Sequence, residues 1–171
     1  MSNIVAALAL ALQAGVPVLA WGPPGVGKTA VITALADSLS LPLEVVLASI
    51  REPADFSGLP VIRDDGVRME APSWARRLAE AGKGILFLDE ISTAPPAVQA
   101  ALLRVVLDRV VGDLELPPGV AVVAAANPPE QAAGGWDLSP PLANRFCHLS
   151  WALNTQGWID GMIQGWPVPS V

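Results

Sequence analysis

The sequence contains no tyrosine, one cysteine and one histidine, and no charged side chain precedes Lys28. With Cys147 alone, an internal disulfide is excluded, and a reducing cytoplasm is the easier home. His148 stands beside Cys147 on a predicted strand, so the two point to opposite faces and cannot share a metal or act as nucleophile and base. Cations are also scarce. Lys and Arg number 10 against 16 Asp and Glu, for a formal net charge of -6 and a pI near 4.6. That balance argues against a domain whose main task is gripping a nucleic-acid backbone, although a local basic patch stays open. Internal repeats and low-complexity tracts are absent as well.

The uncharged start requires a membrane span or signal peptide to be weighed, because residues 4–21 are mostly apolar. Against both stand the missing basic n-region, Gln13, and the breakers Gly15 and Pro17. The run reads instead as a helix over residues 3–14, capped by Ser2, followed by a buried strand over residues 16–21. What the chain has in quantity is apolar surface. It is 52% hydrophobic with a mean hydropathy of +0.47, which calls for a large core or for surfaces covered by partners. Its 171 residues are a prior for one domain.

Between that strand and a helical pattern over residues 30–39 lies Gly22-Pro23-Pro24-Gly25-Val26-Gly27-Lys28-Thr29, a G-x-x-x-x-G-K-[ST] pattern in the strand–loop–helix context it requires. Glycines let backbone N–H groups turn inward, and the helix start adds unpaired N–H groups and positive dipole, which together cradle phosphates. Ala30 completes the lining. Lys28 can reach β- and γ-phosphates, and Thr29 can offer its hydroxyl to Mg²⁺. A glycine-rich turn that matches by chance is the alternative.

A second strand is expected over residues 43–48, then a loop and short helix over 51–58. Residues 59–70 read as a hairpin around an Asp-Gly step, and Pro72-Ser73 opens a helix that stops near Gly82 and Gly84. The apolar run Ile85-Leu86-Phe87-Leu88 ends in Asp89-Glu90. At the carboxyl end of a parallel sheet beside the cradle, Asp89 can bind Mg²⁺ through water while Glu90 polarises an attacking water. The alternative is a solvated acidic turn.

Val98, Ala101, Leu102, Val105 and Val106 form an apolar helical stripe, which is core rather than site. A small hairpin follows over residues 110–116, then a buried strand over 120–126 that ends in Asn127. That amide can hydrogen-bond a γ-phosphate or an attacking water, or simply start a turn. A short helix over 138–144 leads to Arg145, a fifth strand is expected over 147–151, and a helix over about 156–164.

These residues resemble the AAA+ ATPases and, within them, the MoxR-like branch. GPPGVGKT is similar to Walker A, ILFLDE to Walker B, and Asn127 in AAANPP sits where sensor 1 sits. The run DEISTAPPAVQAALLRVVLDR resembles the MoxR segment after Walker B, and Arg145 in PLANRF stands where the family places its arginine finger. The two hairpins resemble the helix-2 insert and the hairpin before sensor 1. The resemblance implies an α/β P-loop NTPase fold: a three-layer sandwich around a five-stranded parallel sheet in the order 5-1-4-3-2, with β-hairpin inserts. It implies ATP and Mg²⁺ as ligands, and Glu90, Asn127 and Arg145 as catalytic residues. Arg145 would complete a neighbour's site, so the active form would be a homo-oligomer, a hexameric ring.

The function implied is a motor that remodels or matures a protein partner, such as a von Willebrand A domain protein. A nucleic-acid motor or loader and a non-catalytic nucleotide-dependent scaffold are the alternatives. Residues 1–153 would form the core and 154–171 a linker towards a helical lid carrying sensor 2. The chain stops at Val171, where that lid is expected, so weak nucleotide binding and low turnover are expected of the chain alone. Trp151, Trp158 and Trp166 are expected to pack the sheet edge and the start of the lid.

Overall fold

The chain runs α1 (Asn3–Gln13), β1 (Val18–Trp21), α2 (Lys28–Ser38), β2 (Leu43–Leu47), α3 (Ala54–Ser57), β3 (Leu59–Arg63), β4 (Gly66–Glu70), α4 (Ser73–Ala81), β5 (Lys83–Asp89), α5 (Pro96–Asp108), β6 (Val110–Val111), β7 (Leu114–Glu115), β8 (Gly119–Ala126), α6 (Pro140–Ala143) and β9 (Cys147–Ser150). The computed structural model describes residues 3–128 and 136–151. Ser2, the expected lid linker and the tryptophans at 158 and 166 lie outside them. The central sheet has the order β2-β5-β8-β1-β9, and every neighbouring pair is parallel. Counted among the sheet strands alone, this is 5-1-4-3-2, as the resemblance implies.

The three inner strands, β1, β5 and β8, are buried on both sides, which is why their sequences read as continuous apolar runs rather than alternating ones, while the edge strands β2 and β9 stay partly exposed. The alternation reappears in where the side chains go. Leu19, Leu86, Leu88, Val122 and Ala124 enter one core with Trp74, Leu78, Val98, Leu102 and Val105 from α4 and α5. Val18, Ala20, Ile85, Phe87, Val123 and Ala125 enter the other with Leu8 of α1 and Ile32 and Leu35 of α2. The result is a three-layer sandwich. None of its helices is long and apolar enough to cross a membrane, among the described residues.

Several boundaries differ from expectation for identifiable reasons. The Val16 N–H donates to the Ala11 carbonyl at 3.0 Å, so Val16 still caps α1 and β1 starts at Val18. The cradle helix starts at Lys28, two residues earlier than its apolar spacing suggests, because Gly27 at φ +81° turns the chain directly into it. The first hairpin pairs Arg63 with Gly66, so Asp64-Asp65 makes the turn rather than the Asp-Gly step. Gln99 lies buried on the inward side of α5, where its sequence neighbours are apolar. It is satisfied there: Nε2 donates to the Ala94 carbonyl at 3.0 Å and the Asp137 carbonyl at 3.3 Å, and Oε1 accepts the Ser139 N–H at 2.7 Å.

The two hairpins are docked on each other. Asp113 N–H donates to the Met69 carbonyl at 2.9 Å, and Met69 N–H donates to Asp113 Oδ2 at 2.9 Å. Gly58 and Gly112 permit this approach, since a Cβ on Gly58 would lie 2.8 Å from the Gly112 Cα, and one on Gly112 would overlap the Met69 carbonyl. Gly112 also has φ +60°. Gly112→Ala is therefore predicted to destabilise the fold by about 1–3 kcal/mol through strain and overlap. A urea midpoint equal to that of the native chain would contradict this contact.

Candidate functional site

Because all five strands run the same way, the carboxyl ends of β5, β8 and β1 open on one edge of the sheet, and β8 lies between the other two. That edge is the usual ligand crevice of an open parallel sheet. Here it holds a cleft of about 380 Å³ lined by Gly25, Lys28 and Thr29 from the loop and helix, Asp89 and Glu90 after β5, and Asn127 after β8. Pro24, Val26, Gly27 and Ala30 complete the loop side. Gly22 and Pro23 stay out of the lining, but both reach it through their carbonyls.

Those carbonyls take the lysine. Lys28 Nζ donates to Gly22 O at 2.7 Å, to Pro23 O at 3.0 Å and to Asn127 Oδ1 at 3.1 Å. The side chain is 8% exposed, and burial lowers its pKa below the ordinary lysine value, with Asp89 and Glu90 pulling the other way. An ammonium is donor-only, so Asn127 must present its oxygen to Lys28, which leaves the Nδ2 donors for whatever else enters. The Gly22 N–H donates to Ala126 O at 3.1 Å, which continues the β1–β8 pairing into the loop and fixes the cradle against the Asn127 strand.

On the other wall, Thr29 Oγ1 donates to Asp89 Oδ2 at 2.9 Å. A hydroxyl and a carboxylate so close form an all-oxygen pair suited to Mg²⁺, which binds through one or two carboxylates with substrate phosphates and water supplying the rest. The described residues contain no group of three or more His, Cys, Asp or Glu placed to hold a metal. Phosphates would also fit. Gly25 and Gly27 have φ +79° and +81°, and a Cβ on either would meet nothing within 4 Å, so the loop faces open space.

Glu90 is the strained member. Its φ of +55° is uncommon for a residue with a Cβ and costs on the order of 1–3 kcal/mol unless the surroundings hold it. They do: Glu90 N–H donates to Asp89 Oδ1 at 2.9 Å, and the Thr93 hydroxyl donates to the Glu90 carbonyl at 2.8 Å. The twist turns the exposed carboxylate towards Ser49, whose hydroxyl donates to Oε2 at 2.7 Å.

Sequence reasoning overlooked Ser49 and Ser92. The latter accepts the Asn127 N–H at 3.3 Å. Both serines lie in short turns after strands, where serine is ordinary, so nothing local distinguishes them. Arg145 does not join the cleft. It is exposed after α6 and has no ion-pair partner among the described residues.

Comparison with known proteins identifies the family. Residues 17–146 match the profile of the AAA domain (dynein-related subfamily). Among curated proteins, the chain is 38% identical over 132 residues to the human ATPase family gene 2 protein homolog B, covering 72% of this chain and 16% of that protein. To the denitrification regulatory protein NirQ of Pseudomonas aeruginosa it is 32% identical over 143 residues, covering 79% of this chain and 54% of NirQ. It thus spans at most about half the length of these relatives. Among solved structures, a candidate ATPase from Cytophaga hutchinsonii superposes with TM-score 0.69 at 21% identity, covering 96% of this chain and 51% of that one. A Thermotoga maritima RuvB mutant gives TM-score 0.59 at 25% identity, covering 88% of this chain and 45% of that one. The chain belongs to the AAA domain family, dynein-related subfamily, and is of the MoxR-like type.

Proposed function

We propose that this chain is the ATP-binding and hydrolysing core of a MoxR-like motor that couples hydrolysis to remodelling or maturation of a protein partner. The observation that carries the reading is the pair of bridges across one cleft, Lys28 to Asn127 and Thr29 to Asp89. In this reading Gly22 to Ala30 cradles the phosphates and Lys28 neutralises charge on the terminal ones. Thr29 and Asp89 hold Mg²⁺, which when bound neutralises phosphate charge. Glu90 accepts a proton from the attacking water, and Asn127 orients that water or the terminal phosphate through Nδ2. Arg145 acts on the neighbouring subunit's cleft, in a homo-oligomer we take to be a hexameric ring.

Residues 1–153 would be the core and 154–171 a linker towards a helical lid. A von Willebrand A domain protein is the candidate partner and the cytoplasm the candidate compartment, the latter supported by Cys147 being a free, exposed thiol. A protein rather than a nucleic-acid partner is favoured by the first hairpin, where Arg63 and Arg68 are already paired with Glu70 and Asp65.

The test is Glu90→Gln. It is predicted to keep ATP binding, followed with a fluorescent nucleotide, and to lower phosphate release at least about 10²-fold, the usual scale of a general base. Ser49→Ala, which only frees the carboxylate, is predicted to have a smaller effect. Turnover by Glu90→Gln equal to the native chain would remove Glu90 from the mechanism.

A further inference from the structure

We propose that His148 is a positioning residue that holds the end of α6, and with it Arg145, in fixed relation to the strand that feeds the phosphate loop. The inference rests on the reading of Arg145 above. β9 lies parallel beside β1, with His148 opposite Leu19, and the imidazole reaches to the end of β1. Trp21 Nε1 donates to His148 Nδ1 at 2.9 Å. An indole N–H can only donate, so Nδ1 must carry the lone pair and the ring proton must sit on Nε2. That nitrogen lies 2.8 Å from the Ala143 carbonyl, to which it therefore donates. The two rings also meet, with centroids 6.0 Å apart and planes tilted by 33°.

The partners give this relay its meaning. Trp21 immediately precedes Gly22, the first residue of the cradle, and Ala143 is the last residue of α6, two before Arg145. A four-residue helix cannot hold its own shape, since one turn fixes many dihedrals for few hydrogen bonds, so its position depends on what ties it down. At its start, Gln99 of α5 holds the Ser139 N–H and the Asp137 carbonyl. At its end, His148 supplies a donor to a carbonyl of the last turn. Neither Cys147 nor any other histidine can substitute, because the link needs one acceptor and one donor on a rigid ring, and this is the chain's only histidine.

That singularity makes the test clean, because histidine-selective ¹³C/¹⁵N labelling of the full chain yields one imidazole. The expected result is a neutral ring in the Nε2–H form, relaxing to a tautomer mixture in Trp21→Phe. In His148→Leu, hydrogen exchange of the Asn144, Arg145 and Phe146 amides should quicken by about tenfold while that of β5 stays unchanged. His148→Gln, which can both accept and donate, should restore part of the protection. An Nδ1–H ring in the native chain would overturn the inference. So would unchanged exchange at residues 144–146 in both His148→Leu and Trp21→Phe; the second keeps the test available if the first does not fold.

A mixing experiment reads the consequence for Arg145. Lys28→Ala chains, with a disabled cradle, are combined with Arg145→Ala chains, whose cradles are intact. Adding His148→Leu to the Lys28→Ala chain should reduce turnover of the mixture by more than adding it to the Arg145→Ala chain. Equal effects would overturn the link to Arg145. If the starting mixture shows no turnover at all, the reading of Arg145 fails, and the exchange experiment still decides the brace.

Discussion

Arg145→Ala is expected to lower ATP turnover by about 10³ to 10⁵-fold, the range by which a guanidinium delivered to the transferring phosphoryl group accelerates such reactions. It is expected to leave the binding of nucleotide to the same chain nearly intact, because Arg145 contributes nothing to its own cleft. Rescue should come from another chain. Lys28→Ala subunits still carry Arg145, so mixing them with Arg145→Ala subunits should restore turnover where one chain's arginine meets the other's cradle. Neither variant should be active alone. A mixture as inactive as its components would mean that Arg145 does not act between subunits. The geometry that motivates the test is an exposed cation two residues beyond a short tied helix, outside the cleft and unpaired among the described residues.

Lys28→Ala is the second large effect. Among the described residues lining the cleft Lys28 is the one cation, and its removal should cost about 10²–10³-fold in turnover, on the scale of deleting one donor that faces developing charge. Nucleotide binding should weaken as well, seen by calorimetric titration. A control that does not involve nucleotide follows from its titration. Burial, the largest cause, lowers the folded pKa, so between that value and the unfolded one of 10.5 the unfolded chain binds more protons than the folded chain. Stability at Lys28 is therefore reduced at neutral pH and recovers as pH rises through the lowered value towards 10.5. Lys28→Met removes the group, and the native-minus-variant difference in unfolding free energy should rise over that alkaline window. A flat difference would mean that the ammonium is not desolvated.

Much of this site can be read from local sequence because its parts depend on local chemistry. The glycines and Lys-Thr of the cradle, the acids after Ile85-Leu86-Phe87-Leu88 and the Asn after β8 each follow a short apolar run, and the run itself signals a buried parallel strand. The helix stripe of α5 was equally plain, yet Gln99 on its buried side was not. A lone glutamine among apolar residues gives no sign of whether three partners await it. Ser49 illustrates the same limit. Its partner Glu90 is forty-one positions away, and only the pairing of β2 with β5 sets Leu47 beside Asp89, bringing the two turns together.

By itself, then, the sequence determined the strand–loop–helix cradle, the acidic strand end, the family to which these motifs belong and, through that resemblance, the strand order. Those features rest on backbone conformation and on residue types a few positions apart. Tertiary structure alone decided that Ser49 would hold Glu90, that two glycines would let the hairpins dock, and that the His148 ring would stand between Trp21 and the Ala143 carbonyl. Each depends on atoms brought together from distant segments at hydrogen-bond or van der Waals distance. Such contacts follow from sheet register and helix packing, which only the folded chain sets.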